Sequence, residues 1–156
     1  MLGDRRRVVI EAVRPAVDGG MLPAKATQGL PLHVSATLVA DGHDPLLGWV
    51  RFGPGTPAAV DVAGLPNGWE EVALEPAGND RYTAWVAPGS VGEWSFAVVA
   101  MPDEYGAWVR DLRIRFQAGQ DIGVELEEGL AIVRRRLRTA AGRDRTALTA
   151  VARALE

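Results

Sequence analysis

The feature that most constrains this chain is a change of hydrophobic period at about Gln117. From Arg7 to about Phe116, short β-rich runs alternate apolar with polar residues and are broken by Gly, Pro, Asn and Asp roughly every dozen residues. Beyond Gln117 the spacing becomes helical. A sequence that alternates with period two can bury only one face of a pleated strand, and many such runs in succession make a sandwich.

The runs are read as follows. Val8, Ile10 and Val13 form an entry or edge strand that ends at Pro15 and the turn Asp18-Gly19-Gly20. Leu32, Val34, Ala36 and Leu38 alternate with His33, Ser35, Thr37 and Val39, and the extended pattern Leu46 to Phe52 follows as the neighbouring strand across Asp41-Gly42-His43-Asp44-Pro45. Trp69 to Leu74 and Arg81 to Val86 flank Pro76-Ala77-Gly78-Asn79-Asp80, the spacing of a hairpin. Glu93 to Ala100 and a final run from Trp108 to Phe116 bring the total to about seven strands, enough for a two-sheet sandwich.

In the tail, Leu126, Leu130, Val133 and Leu137 share one helical face, which predicts a helix over 124–139 weakened at Gly129. Gly142 breaks it, Asp144 is the expected N-cap of a second helix, and Leu148, Val151, Ala152 and Leu155 form its apolar stripe. The expected organisation is therefore a mainly β domain over 5–118 and a helical hairpin over 119–156. Two short amphipathic helices have more apolar side chains than they can cover with each other. Leu126, Leu130, Val133, Leu137, Leu148, Val151 and Leu155 are thus candidate interface residues.

Charge and composition exclude several function classes. Seventeen Lys or Arg against 20 Asp or Glu give a net charge of -3, so no basic field exists to attract nucleic acid. The absence of cysteine removes thiolate chemistry and Cys-based zinc sites and fits a reducing compartment, with cytoplasm the expectation. The basic start, Met1 to Arg7, runs into an alternating stretch rather than a signal-peptide core, and no apolar run approaches the ~20 residues of a membrane span.

Candidate chemistry is sparse. His43 between Asp41 and Asp44 lacks the ligand count of a metal site and reads as turn chemistry, and His33 reads as a polar-face residue of a strand. The adjacent carboxylates Asp103-Glu104 and Glu127-Glu128 do not flank a substrate as a glycosidase pair must. Ser35, Ser90 and Ser95 fall in no nucleophile motif, and Gly53-Pro54-Gly55 has no phosphate-loop lysine. Arg134 to Arg136 reads as a solvated helix face. No catalytic residue, metal site or cofactor is expected. Five tryptophans remain. Trp94 and Trp108, within apolar strand patterns, are expected in the core, while Trp49, Trp69 and Trp85 are candidate carbohydrate contacts.

In this order the segments resemble the N-terminal region of the bacterial α-1,4-glucan:maltose-1-phosphate maltosyltransferases of the α-amylase superfamily. The resemblance rests on Val8-Val9-Ile10 with Val13-Arg14-Pro15, Asp18-Gly19-Gly20 with Pro23 and Lys25, and Asp41-Gly42-His43-Asp44. It continues through Gly78-Asn79-Asp80-Arg81-Tyr82, Gly92-Glu93-Trp94, Trp108 with Arg110-Asp111-Leu112, Ala118-Gly119-Gln120-Asp121 and Glu125-Leu126-Glu127-Glu128-Gly129. It implies an immunoglobulin-like domain carrying a helical insertion, both contributing to a homodimer, with the catalytic carboxylates in a later (β/α)8 barrel and a strand beyond Glu156 returning to the sandwich. Met21-Leu22, Val99 and Met101 depart from the family pattern, which has aromatic or acidic residues there. The implied role is a non-catalytic structural and dimerisation module that packs on that barrel. A carbohydrate-binding module holding α-glucan on exposed tryptophans is the alternative.

Overall fold

The computed structural model describes residues 8–42, 44–55 and 65–156. The chain divides into two compact units, residues 1–102 and 103–156.

The first unit is a β-sandwich of two antiparallel sheets. The strands are β1 (Val8–Arg14), β2 (Leu32–Ala40), β3 (Leu46–Pro54), β4 (Glu70–Ala73), β5 (Glu75–Pro76), β6 (Arg81–Val86) and β7 (Trp94–Pro102). One sheet has the order β1-β2-β6-β5 and the other β4-β3-β7. Alternation decides which side chains meet between them. Val34, Ala36 and Leu38 of β2, Ala84 and Val86 of β6, and Val50 and Phe52 of β3 are all buried in one cluster, and each is two residues from the next on its strand. β1 is an edge strand, as its pattern predicts, and its register with β2 shifts between Glu11 and Arg14.

Two neighbour relations differ from the sequence reading. β2 and β3, expected side by side, lie in opposite sheets. The run Trp69 to Leu74, expected to form a hairpin with β6, instead pairs as β4 with β3, and only the two-residue β5 pairs with β6. The chain changes sheets at Leu74, which is buried and whose N–H donates to the Gly48 carbonyl at 2.8 Å. The turn into β6 does follow the sequence. Asn79 and Asp80 adopt left-handed φ values of 51° and 57°, the conformation that Asn and Asp tolerate best after glycine.

The largest correction concerns 108–116. This stretch is not the seventh strand but the body of helix α1 (Glu104–Gln117). Among the described residues the strand count is still seven because β5 takes its place. Two local signals favour the helix. Asp103 is an N-cap whose carboxylate accepts from the Gly106 N–H at 2.8 Å, and Glu104 adds a negative charge to the first turn. The inward face of α1 follows the spacing Trp108, Val109, Leu112, leaving Ile114 and Phe116 exposed.

The second unit is thus three helices rather than a hairpin, with α2 (Gly123–Leu137) in contact with both α1 and α3 (Gly142–Leu155). Asp144 lies in the first turn of α3 and is not its cap; the helix begins at Gly142, whose left-handed φ of 53° makes the bend. The Trp108 indole is buried, its N–H donating to the Glu125 carbonyl at 2.6 Å. Its ring lies directly on Gly129, where a Cβ would overlap it. Gly129 is therefore a contact point as well as a low-propensity position in the helix. Val133 is fully buried, and Ala152 is the buried residue of α3.

Gly129→Ala sets two effects against each other. Alanine gains about 1 kcal/mol of helix propensity, but overpacking at a closed contact typically costs about 1–3 kcal/mol. Because the overlap is with a ring held by its own hydrogen bond, the net change is expected to be destabilising, read as a lower midpoint for loss of the 222 nm helical signal. An unchanged or higher midpoint would show that Trp108 can step aside freely.

Candidate functional site

The five tryptophans fall into three environments. Trp69 is buried with its ring over Gly53, so neither face is available to a ligand. Trp108 is buried within the helical unit, not within the sandwich where the sequence reading placed it. Trp94 is half-buried rather than fully so. It stacks on Phe52 with ring centroids 4.8 Å apart and donates from Nε1 to the Ser90 carbonyl at 3.0 Å. Trp49 is half-buried on the outer face of the three-stranded sheet, opposite Val99 and Ala73.

Trp85 differs from all of these. It stands on the outer face of the four-stranded sheet and is 62% exposed. Its cross-strand partner in register is His33, and the two rings lie 4.8 Å apart with planes inclined at 50°. Trp49 and Trp85 occupy opposite sheets, so they do not share a groove. His33 was missed as a functional candidate because only the β2–β6 register, and not the sequence of either strand, brings it to Trp85.

The outer face around this ring pair is polar. Ser35 is opposite Thr83, Thr37 opposite Arg81, and Glu75 approaches Thr83 from the other side. Ser35, Thr37, Thr83 and Arg81 share the parity of His33 or Trp85 along their strands and so share their face, and Glu75 is brought to it by its pairing with Thr83.

Several charged groups of the helical unit are engaged with each other. Glu125, buried, pairs through Oε1 with Arg115 Nη1 at 2.9 Å; a buried carboxylate needs such a partner to avoid a large desolvation cost. Arg134 pairs with Glu156 at 2.8 Å, and Arg135 with Glu104. These tie α2 to α3 and α1. Glu127, Leu130, Ala131, Arg134, Arg135 and Arg138 line an open groove along one face of α2.

Of the candidate interface residues, Val133 is wholly enclosed within the unit, while Leu126, Leu130, Leu137, Leu148, Val151 and Leu155 are each half-buried. Within the helical unit the apolar side chains left most open are Ile114, Phe116 and Val124, at 58%, 68% and 66% exposure. The first two were assigned to a strand on sequence, which hid them.

His43 lies outside the described residues. Among the described residues no group of three or more His, Asp or Glu is placed to hold a metal ion, and no helix is long and apolar enough to cross a membrane.

Residues 6–156 match the family described as alpha-1,4-glucan:maltose-1-phosphate maltosyltransferase, domain N/S. Among individual relatives, the chain is 36% identical over 150 residues to alpha-1,4-glucan:maltose-1-phosphate maltosyltransferase 1 of Streptomyces coelicolor, covering 96% of this chain and 21% of that protein. The second enzyme of that name from the same organism is 36% identical over 129 residues, 83% of this chain and 18% of the relative. The Myxococcus xanthus enzyme is 34% identical over 140 residues, 90% of this chain and 20% of the relative. The chain thus spans about a fifth of the length of the curated relatives it matches. With a sandwich followed by helices in the order the motifs imply, and a match running through both units, the chain belongs to the α-1,4-glucan:maltose-1-phosphate maltosyltransferase family as its N-terminal domain N/S region.

Proposed function

We propose that this chain is a non-catalytic structural and self-association module of a maltosyltransferase that transfers maltosyl units from maltose-1-phosphate to α-1,4-glucan in the cytoplasm. The observation that carries the reading is the family match across residues 6–156 combined with coverage of about a fifth of each relative. Catalysis then belongs to another part of the enzyme, a (β/α)8 barrel on which the module packs. The chemistry of this chain supports the division, because Glu104, Glu125 and Glu156 of the helical unit are spent on ion pairs with arginine. No cofactor enters the proposal.

Self-association is assigned to the helical unit. With Val133 committed to the interior, a second copy would cover the half-buried stripe residues together with Ile114, Phe116 and Val124. Removing such apolar surface from water stabilises association by roughly 25 cal/mol per Å² before the entropy cost of joining two bodies. A concentration-dependent dimer is expected rather than a tight one.

Two measurements on one preparation test the proposal. Purified chain given maltose-1-phosphate and a maltooligosaccharide should release no phosphate above a blank; release that survives repurification rules the reading out. Sedimentation should show dimerisation of the intact chain that is lost when the chain is ended at Pro102. Two monomers, or two equal dimers, would remove the helices as the interface.

A further inference from the structure

We propose that the outer face of the β1-β2-β6-β5 sheet is a binding site for an α-1,4-glucan chain, with Trp85 and His33 as its stacking surface. The inference rests on the proposed function for its choice of ligand. The site itself rests on the geometry of the sheet.

A tryptophan indole is the largest apolar surface a side chain offers, and one left 62% exposed on a flat sheet face is available for contact on its ring. Its neighbour in register adds a second ring, 4.8 Å away and inclined at 50°, so the two form a bent surface and not a flat one. The faces of a glucose ring carry C–H groups whose weakly positive hydrogens meet the negative face of an aromatic ring. In an α-1,4-linked chain successive sugars turn relative to one another, so consecutive rings present differently directed faces. An inclined ring pair matches that curvature, whereas the ribbon-like β-1,4 chain would call for coplanar rings.

The surroundings fit a sugar better than a protein partner. The core of a protein interface is depleted in charged groups. Here the ring pair is bordered along the strands by Ser35, Thr37 and Thr83, and then by Arg81 and Glu75. These supply hydroxyl donors and acceptors, a guanidinium fork and a carboxylate, the set suited to adjacent sugar hydroxyls. From Trp85 to Arg81 is four residues of strand, roughly 14 Å, which accommodates a short oligosaccharide lying along β6.

The test is native electrophoresis of the intact chain through gels containing glycogen, followed by titration with maltoheptaose. Intact chain should be retarded by glycogen. Trp85→Ala should weaken binding about tenfold, the ratio that a ring contact of ordinary strength is worth. His33→Ala should weaken it in the same direction, and Val91→Ala, an exposed residue in the turn between β6 and β7, should leave it unchanged. The exposure of Trp85 means that its loss should not disturb folding, which the circular dichroism melt checks. Absence of retardation, equal retardation of Trp85→Ala, or equal retardation by a soluble β-1,4-glucan overturns the proposal. Because turnover and sedimentation are read on the same preparation, failure here with those results intact removes the glucan site alone.

Discussion

Replacing Trp108 with alanine is expected to destabilise the helical unit by about 3–5 kcal/mol, the range for a large aromatic lost from a core. The cost should be near the upper end because the ring does three things at once. It fills the space between α1 and α2, its N–H satisfies the Glu125 carbonyl at 2.6 Å, and Tyr105 packs on it with centroids 5.3 Å apart. Alanine leaves a void beside Gly129, which has no side chain to move into it. The unit has few other buried residues, Val133 and Ala152 among the apolar ones, so little remains to hold three helices of 14 or 15 residues together. Short helices without tertiary contacts are marginal in water. The expected result is loss of most of the 222 nm signal at room temperature, with the β-sandwich still protected in amide hydrogen exchange. A loss below about 1 kcal/mol would show that the indole is not a packing element.

The second large effect is a coupled pair in the sandwich core. Leu38 is 1% exposed, and truncating it to alanine should cost about 2–5 kcal/mol. Gly48 lies beside it. A Cβ there would sit 2.9 Å from Leu38 Cδ1 and 3.0 Å from Leu74 Cδ1, so Gly48→Ala alone should cost about 1–3 kcal/mol through overpacking. In the double variant the new methyl group enters the space that Leu38 vacates, though it still meets Leu74. The two changes together should therefore be less destabilising than their sum by about 1 kcal/mol or more. Urea midpoints of the four proteins in the cycle measure this. Additivity to within about 0.5 kcal/mol would show that the two residues do not share a contact.

Recognition from sequence worked where a residue pattern has only one physical solution. The alternation of Leu32 to Leu38 leaves no choice about which residues enter the core, and Val34, Ala36 and Leu38 are the ones that do. The helical spacing of Leu126, Leu130 and Val133 likewise fixed α2. The stretch 108–116 has two solutions. Leu112, Ile114 and Phe116 fit period two, while Trp108, Val109 and Leu112 fit a helix, and the Asp103 cap decides for the second. Two apolar residues at the end of α1 stay exposed as a consequence.

The order of motifs along the chain sufficed to assign the family, because it needs no knowledge of which elements touch. The sequence also determined the β-then-α organisation, since local hydrophobic period follows from backbone geometry alone. Sheet membership was beyond it: β4 and β5 are separated by Leu74 only, yet lie in different sheets, and nothing local distinguishes a strand that continues from one that crosses. The roles of Gly129 and His33 were decided in the same way, the first by the ring of Trp108 and the second by the register that sets it against Trp85. A side chain's partners across a helix pair or a strand pair are set by packing between segments distant in sequence, and only the tertiary structure holds that information.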